Sequence, residues 1–254
     1  MRKVQCLDIG NTTTKIGFFE DDKICKLKQI ETKSLISDSE KFIDLISGEN
    51  GDLCYCSVVP NAEKNILEAL NKFEGSIHVV SPSFCAGIPI SYQNKKEIGS
   101  DRIANAIATY YTLSLPAVVI DLGTATTFDI VTKKGGYEGG IILPGPQGFL
   151  DFLNENTALL PKVELSNERS VDIPYGKNTK DAMLAGVSLG YKSMINALIE
   201  NLKDYFKKEH GDTPTFAVCG GSSINLDFNN SILKENLTLL GLRLAYEFYY
   251  KEKD

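Results

Sequence analysis

An acidic residue, a glycine two places on and then a pair of threonines occur twice in this chain. LDIGNTTTKIGFF starts at Leu7 and IDLGTATTFDIVT at Ile120, so Asp8 aligns with Asp121, Gly10 with Gly123, Thr13 with Thr126 and Thr14 with Thr127, an offset of 113 residues throughout. Each copy has an apolar run before the acid and another after the threonines. A single Asp-x-Gly means little. Two copies, each between strand-like segments and each heading a half of the chain, point to duplication. The 254 residues suffice for one large domain or two ordinary ones, and the repeat favours two, 1–114 and 115–254.

The flanking segments agree with such a division. Strands are expected near Val4–Leu7, Ile16–Phe19 and Ile24–Glu31, then a helix over SDSEKFIDLIS with Ser37 and Glu40 at capping-box spacing. A strand in DLCYCSVV, a helix over AEKNILEALNKF, a strand in SIHVVS and a helix over DRIANAIATYYTL complete the first half. The second half restarts with PAVVIDLG, TTFDIV and YEGGIIL as strands, the middle pair of turns being Asp-x-Gly and KKGG. It continues with helices at Phe149–Leu160 and about Lys180–Lys208, a strand in TFAVCGG and a helix near Leu239–Lys251. Strands followed by alternating helix and strand indicate an α/β fold. In the long helix Ala182, Gly186 and Gly190 form a stripe at four-residue spacing, expected to pack closely on the sheet, with a subunit contact as the alternative.

Composition limits the partners. Apolar content of 43% and charged content of 24% are ordinary for a globular protein. A net charge of −6 does not favour nucleic-acid backbone or anionic membrane, so neither is an expected partner. The longest apolar runs are short of a membrane span, and MRKVQCLDIG has no signal-peptide pattern, so a cytoplasmic location is expected. The six cysteines form no CxxC pair, and with only His78 and His210 beside them a zinc site is not expected. They read as reduced, buried thiols, with Cys54 and Cys56 on one face of a strand.

A strand that ends in Asp-x-Gly-x-x-Thr-Thr and doubles back gathers backbone N–H groups and hydroxyls at one concave spot. Gly10 and Gly123 remove a Cβ that would obstruct a ligand near the backbone. Amides and threonines donate to phosphate oxygens, while a carboxylate there requires a cation between itself and phosphate. Each turn is therefore expected to hold phosphate and metal, the two together gripping ATP. Ordinary hairpin turns with threonine chosen for strand propensity are the competing explanation. Lys15 either neutralises phosphate charge or is a solvated strand lysine.

The pair DIGNTTTK and DLGTATTFDIV resembles the two phosphate motifs of the actin, sugar-kinase and Hsp70 superfamily, whose domains are duplicated ribonuclease H-like units, each a mixed sheet flanked by helices. Within it the chain most resembles the type III pantothenate kinases, through GSDRIANAIA (99–108), GGYEGGIILPG (135–145), ENTALLPKVEL (155–165), GKNTKDAMLAG (176–186) and CGG (219–221). That resemblance spans nearly the whole chain in order. It implies ATP-dependent phosphorylation of pantothenate to 4′-phosphopantothenate, the first step of coenzyme A synthesis. CGG departs from the family's more usual Thr-Gly-Gly, which puts one minor nucleotide contact in doubt.

The resemblance also implies roles. Asp101 corresponds to the catalytic base, and Gly99, Ser100, Asp101 and Arg102 to the segment that contacts pantothenate, Arg102 on its carboxylate or orienting the segment. Read without the resemblance, Asp101–Arg102 is equally a charge pair at a helix start. Tyr92 matches a substrate-contacting aromatic, or is a half-buried strand-end tyrosine. Thr179 matches a substrate-contacting threonine, or shares a helix cap with Asn178. Asp8, Ile9, Gly10, Asn11, Thr12, Thr13, Thr14 and Lys15 are implied to bind ATP, with Thr124; Asp8 would sit near Mg²⁺, and Asp121 would bind K⁺ or NH₄⁺. A homodimer is expected from the family. Other kinases or phosphatases of this fold, and ATP-dependent binding proteins such as chaperones and filaments, are the alternatives.

Overall fold

A computed structural model describes residues 3–21, 23–46, 51–60, 65, 68, 70–165, 174–221, 228 and 231–251. The strands and helices are β1 (Val4–Ile9), β2 (Thr13–Glu20), β3 (Lys23–Glu31), α1 (Thr32–Ser37), α2 (Ser39–Ile46), β4 (Asp52–Ser57), β5 (Ile77–Val79) and α3 (Ser100–Thr112). There follow β6 (Ala117–Leu122), β7 (Ala125–Thr132), β8 (Gly136–Pro144), α4 (Pro146–Glu155) and α5 (Thr179–Ala185). A π-helical segment (Gly186–Tyr191), α6 (Lys192–His210), β9 (Thr215–Cys219), β10 (Ser231–Leu233) and α7 (Leu237–Lys251) complete the chain. Half of the expected helix over AEKNILEALNKF falls outside the described residues.

Two five-stranded sheets have the same order, β3-β2-β1-β4-β5 and β8-β7-β6-β9-β10. In each, the first three strands are sequential and the fourth lies parallel to the first, as β4 does to β1 and β9 to β6. The same topology occurring twice is the duplicated, ribonuclease H-like arrangement expected from the sequence. β1 and β6, and likewise β3 and β8, are 113 residues apart, but β2 and β7 start only 112 apart, at Thr13 and Ala125. The second turn is one residue shorter: Gly10 N–H bonds to Thr13 C=O, whereas Gly123 N–H bonds to Ala125 C=O. The structural partner of Thr14 is therefore Thr126, not Thr127 as the uniform offset suggests, and both are fully buried.

The chain divides into two compact units, one of residues 1–113, 131–139 and 236–254, the other of 114–130 and 140–235. In the first, Leu7, Ile9, Ile16, Leu53, Phe42 and Ile46 form a core between sheet and helices. In the second, Val118, Ile120, Leu122, Phe216 and Val218 of the sheet meet Leu150, Val187, Tyr191, Ile195 and Ile199 of the helices.

Several local expectations change. Ser37 does not cap α2; its hydroxyl donates to Ser34 C=O at the end of α1, and Asp38 instead accepts the Glu40 and Lys41 N–H groups. Helix α4 runs from Pro146 to Glu155 rather than 149–160, because Pro146 suits a first helical turn. Gly186, Gly190 and Ala182 are exposed, and a Cβ on either glycine would meet nothing within 4 Å, so the stripe does not pack on the sheet. All six cysteines are free thiols, but Cys25 is exposed. By length and composition the helix Thr179–His210 suffices to cross a membrane, although its uninterrupted apolar runs are short. One side of it, with Val187, Tyr191, Ile195, Ile199 and Phe206, is buried within its unit.

Candidate active site

Asp8 is the fifth residue of β1, opposite Lys15 on β2 and Cys56 on β4. After Ile9 the chain turns through Gly10, Asn11 and Thr12; Asn11 and Thr12 are exposed, Thr13 and Lys15 partly so. The turn is pinned beneath: Thr32 N–H bonds to Thr12 C=O, and Thr32 Oγ1 donates to Gly10 C=O at 2.7 Å. Exposed amides and hydroxyls on a rigid base suit phosphate oxygens.

Beside Asp8, the Cys56 thiol donates to Asp8 Oδ1 at 3.6 Å. Burial, and then the negative charges of Asp8 and Asp101, push this thiol well above its ordinary pKa, so it stays protonated. Asp101 thus lies close enough to act on the same thiol, and the structure brings Asp8 and Asp101 into one neighbourhood. What fixes Asp101 is the join between β4 and α3. Ser100 Oγ accepts the Ser57 N–H at 3.1 Å and donates to Ser57 C=O at 2.7 Å. Asp101 sits in the first turn of α3, where the helix dipole favours a carboxylate, and its Oδ1 accepts the Arg102 N–H at 2.7 Å.

Arg102 is buried, its guanidinium 5.6 Å from the centroid of the Tyr137 ring. Tyr92 packs against the same Tyr137 ring, centroid to centroid 5.8 Å. Tyr92, Arg102 and Tyr137 therefore form one aromatic and cationic cluster a single residue from Asp101. Tyr137 belongs to GGYEGG, a motif legible in the sequence but without an assigned role. Cys56 carried only the signal of strand alternation.

In the second unit Asp121 ends the apolar part of β6, and Thr124 lies exposed on the following turn. Gly220, at φ +96°, lies against this carboxylate: a Cβ there would come within 2.5 Å of Asp121 Oδ1 and of Leu122 C=O. Only glycine leaves that approach open. Thr179 opens α5 and is exposed, while Asn178 makes the cap by accepting the Asp181 N–H at 3.0 Å. Thr179 borders an apolar cavity of about 650 Å³ lined also by Phe149, Phe152, Met183, Val187 and Tyr191.

Among the described residues no three His, Cys, Asp or Glu side chains cluster to hold a metal. The Asp8 carboxylate beside a turn with exposed polar residues is a donor set that Mg²⁺ accepts, since this ion keeps most of its water and takes one or two carboxylates plus phosphate oxygens. The Asp121 carboxylate and the Leu122 C=O, which face the same spot beside Gly220, are oxygen donors of the kind a hard cation takes.

Comparisons with known proteins place the chain in a family. A family model described as type III pantothenate kinase matches residues 5–201. The type III pantothenate kinase of Methylacidiphilum infernorum is 40% identical over 253 residues, covering 97% of this chain and 89% of that one. Its counterpart in Streptomyces griseus is 34% identical, covering 95% and 96%. A solved structure from Campylobacter jejuni, described as of the Baf family of transcriptional activators, shares the fold with a TM-score of 0.61 at 22% identity, over 98% of both chains. By the family match and by these relatives, the chain belongs to the type III pantothenate kinase family.

Proposed function

We propose that this enzyme transfers the γ-phosphoryl group of ATP to the primary hydroxyl of pantothenate, giving 4′-phosphopantothenate and ADP. Asp101 accepts the hydroxyl proton as the alcohol oxygen bonds to phosphorus and the bond to the β,γ-bridging oxygen breaks. The single observation that carries this reading is the Asp101 carboxylate held at the start of α3 by the Ser100–Ser57 clamp, in the neighbourhood of Asp8. Tyr92, Gly99, Ser100 and Arg102 hold pantothenate, with Thr179; a buried, stacked guanidinium suits a carboxylate. Ser100 does so chiefly through its backbone, since its hydroxyl is engaged with β4.

Residues 8–15 bind the ATP phosphates, and Thr124 a further part of the nucleotide. Mg²⁺ at Asp8 would supply charge neutralisation for the phosphates, and K⁺ or NH₄⁺ at Asp121 would do so near Thr124. The active form is a homodimer in the cytoplasm, with no nucleic-acid or membrane partner.

A coupled ADP-release assay over pantothenate, pantetheine, sugars and acetate tests the acceptor, with K⁺ replaced by Na⁺ as a second arm. Activity confined to acetate or a sugar overturns it. Asp101→Asn is expected to lower kcat by about 10²–10⁴-fold, the range of a general base, while ATP binding stays within twofold of wild type. Full turnover in that variant removes the base assignment.

A further inference from the structure

Behind each acidic turn a buried threonine hydroxyl pairs with a hydroxyl from the helical layer. Thr14, second residue of β2 and fully buried, bonds through its hydroxyl to Thr32 Oγ1 at 2.9 Å, and Thr32 in turn donates to Gly10 C=O. Thr32 opens the first helix after the third strand. In the other unit Thr126, second residue of β7 and fully buried, bonds through its hydroxyl to the hydroxyl of Tyr191. Tyr191 lies in the helical layer after that unit's third strand. A threonine on an α-helix and a tyrosine on a π-helix thus deliver a hydroxyl to the same place on two duplicated strands.

The winding around Tyr191 has no other evident cause. From Thr179 to His210 the helix is α-helical except over Gly186–Tyr191. A π turn holds an extra residue and so turns the side chains that follow to a new direction; such insertions concentrate at functional sites. Gly186 and Gly190 do not force it, since neither is crowded. Its result is a tyrosine buried to 4% exposure, its ring edge-on to Phe149 at 6.0 Å and its hydroxyl on Thr126. Burial raises the phenol's pKa, which keeps the hydroxyl proton in place.

We propose that Tyr191 is a positioning residue for nucleotide binding: through Thr126, the second residue of β7, it holds the strand that leaves the turn between Asp121 and Ala125, where Thr32 holds the turn after Asp8 by direct bonds to its carbonyls. The proposal rests on the kinase reading for the role of that turn. Phe149 and Tyr191 pack together whatever the hydroxyl does, so removing the oxygen alone isolates the brace.

The test uses the full chain and titrates a fluorescent ATP analogue with Mg²⁺ in the absence of pantothenate, alongside steady-state kinetics. Tyr191→Phe and Thr126→Val are each expected to weaken analogue binding and raise the KM for ATP roughly fivefold, the factor of one net hydrogen bond. The KM for pantothenate should stay within twofold, the double variant should be no weaker than either single one, and Thr126→Ser should bind like wild type. Wild-type binding in Tyr191→Phe overturns the proposal. So do fully additive losses in the double variant, or a pantothenate KM that rises in step with that for ATP. If Tyr191→Phe fails to fold, Thr126→Val against Thr126→Ser decides, and equal binding by the two is a refutation. A wild-type chain that binds the analogue yet phosphorylates no pantothenate overturns the acceptor assignment alone, because the brace is judged by binding.

Discussion

At the scale of single residues, this protein places its polar groups where strands end and holds them from below. Cys56 shows the limit of sequence reading. Alternation in LCYCSVV predicts a buried thiol, and the thiol is buried, but its neighbours Asp8 and Asp101 are 48 and 45 positions away in sequence. Asp52, at the other end of the same strand, is comparable. It accepts hydrogen bonds from the Tyr246 and Tyr250 hydroxyls, each at 2.7 Å, and from Ser76 N–H. Burial alone would raise its pKa; the two hydroxyls and the amide outweigh burial and lower it. A carboxyl with a lowered folded value stabilises the fold above its unfolded value of about 3.9, and that contribution is lost as pH falls through the folded value. Asp52→Asn is therefore expected to cost about 1–2 kcal/mol near neutral pH, allowing for solvent screening, and the gap to be smaller at about pH 3, below the unfolded value. Urea denaturation at the two pH values checks this; an equal gap at both would mean that charge has no part in it.

Among the elements, strands were more legible than helices because a strand declares both its faces in a few residues. The three strands of each repeat lie within two or three residues of expectation, whereas the helix around Gly186 looked regular and is not. Winding depends on what the helix must reach, here Thr126, and no periodicity of the helix itself contains that information. The crossing of α3 and α7 is of the same kind. A Cβ on Gly241 would come within 1.8 Å of Ala104 C=O, so the helices touch backbone to backbone there. Gly241→Ala would improve helix propensity by about 1 kcal/mol in isolation. The clash is expected to dominate, with a net destabilisation of about 2 kcal/mol or more. Chemical denaturation of the variant gives the sign directly, and a gain in stability would show that α7 can shift freely.

Over the whole molecule, duplication explains the sheets but not the assignment of every helix to a unit. By order along the chain α7 follows β10 as α3 follows β5, yet it packs in the first unit on α3, β1 and β4. It buries Leu237, Leu239, Leu242, Ala245 and Tyr246 there. Three leucines and a tyrosine contribute about 1.5–3 kcal/mol each, which together rivals the whole stability of an ordinary domain, about 5–15 kcal/mol. Deleting residues 237–254 is accordingly expected to unfold the first unit, although every strand of its sheet remains. Retained near-native circular dichroism and a cooperative melt in the truncated chain would contradict this. The acidic turns, the succession of strands along each half and the Gly-Ser-Asp-Arg helix start were legible in local sequence, since each depends on residues within a few positions of one another, and the repeat was legible by laying the two halves over one another. Tertiary structure alone decided which unit takes α7, which threonine of each turn is braced, and that Cys56, Asp8 and Asp101 share a neighbourhood. An amphipathic helix or a buried hydroxyl states in sequence only that it needs a partner; the partner's identity is fixed when distant segments compete for the same buried face.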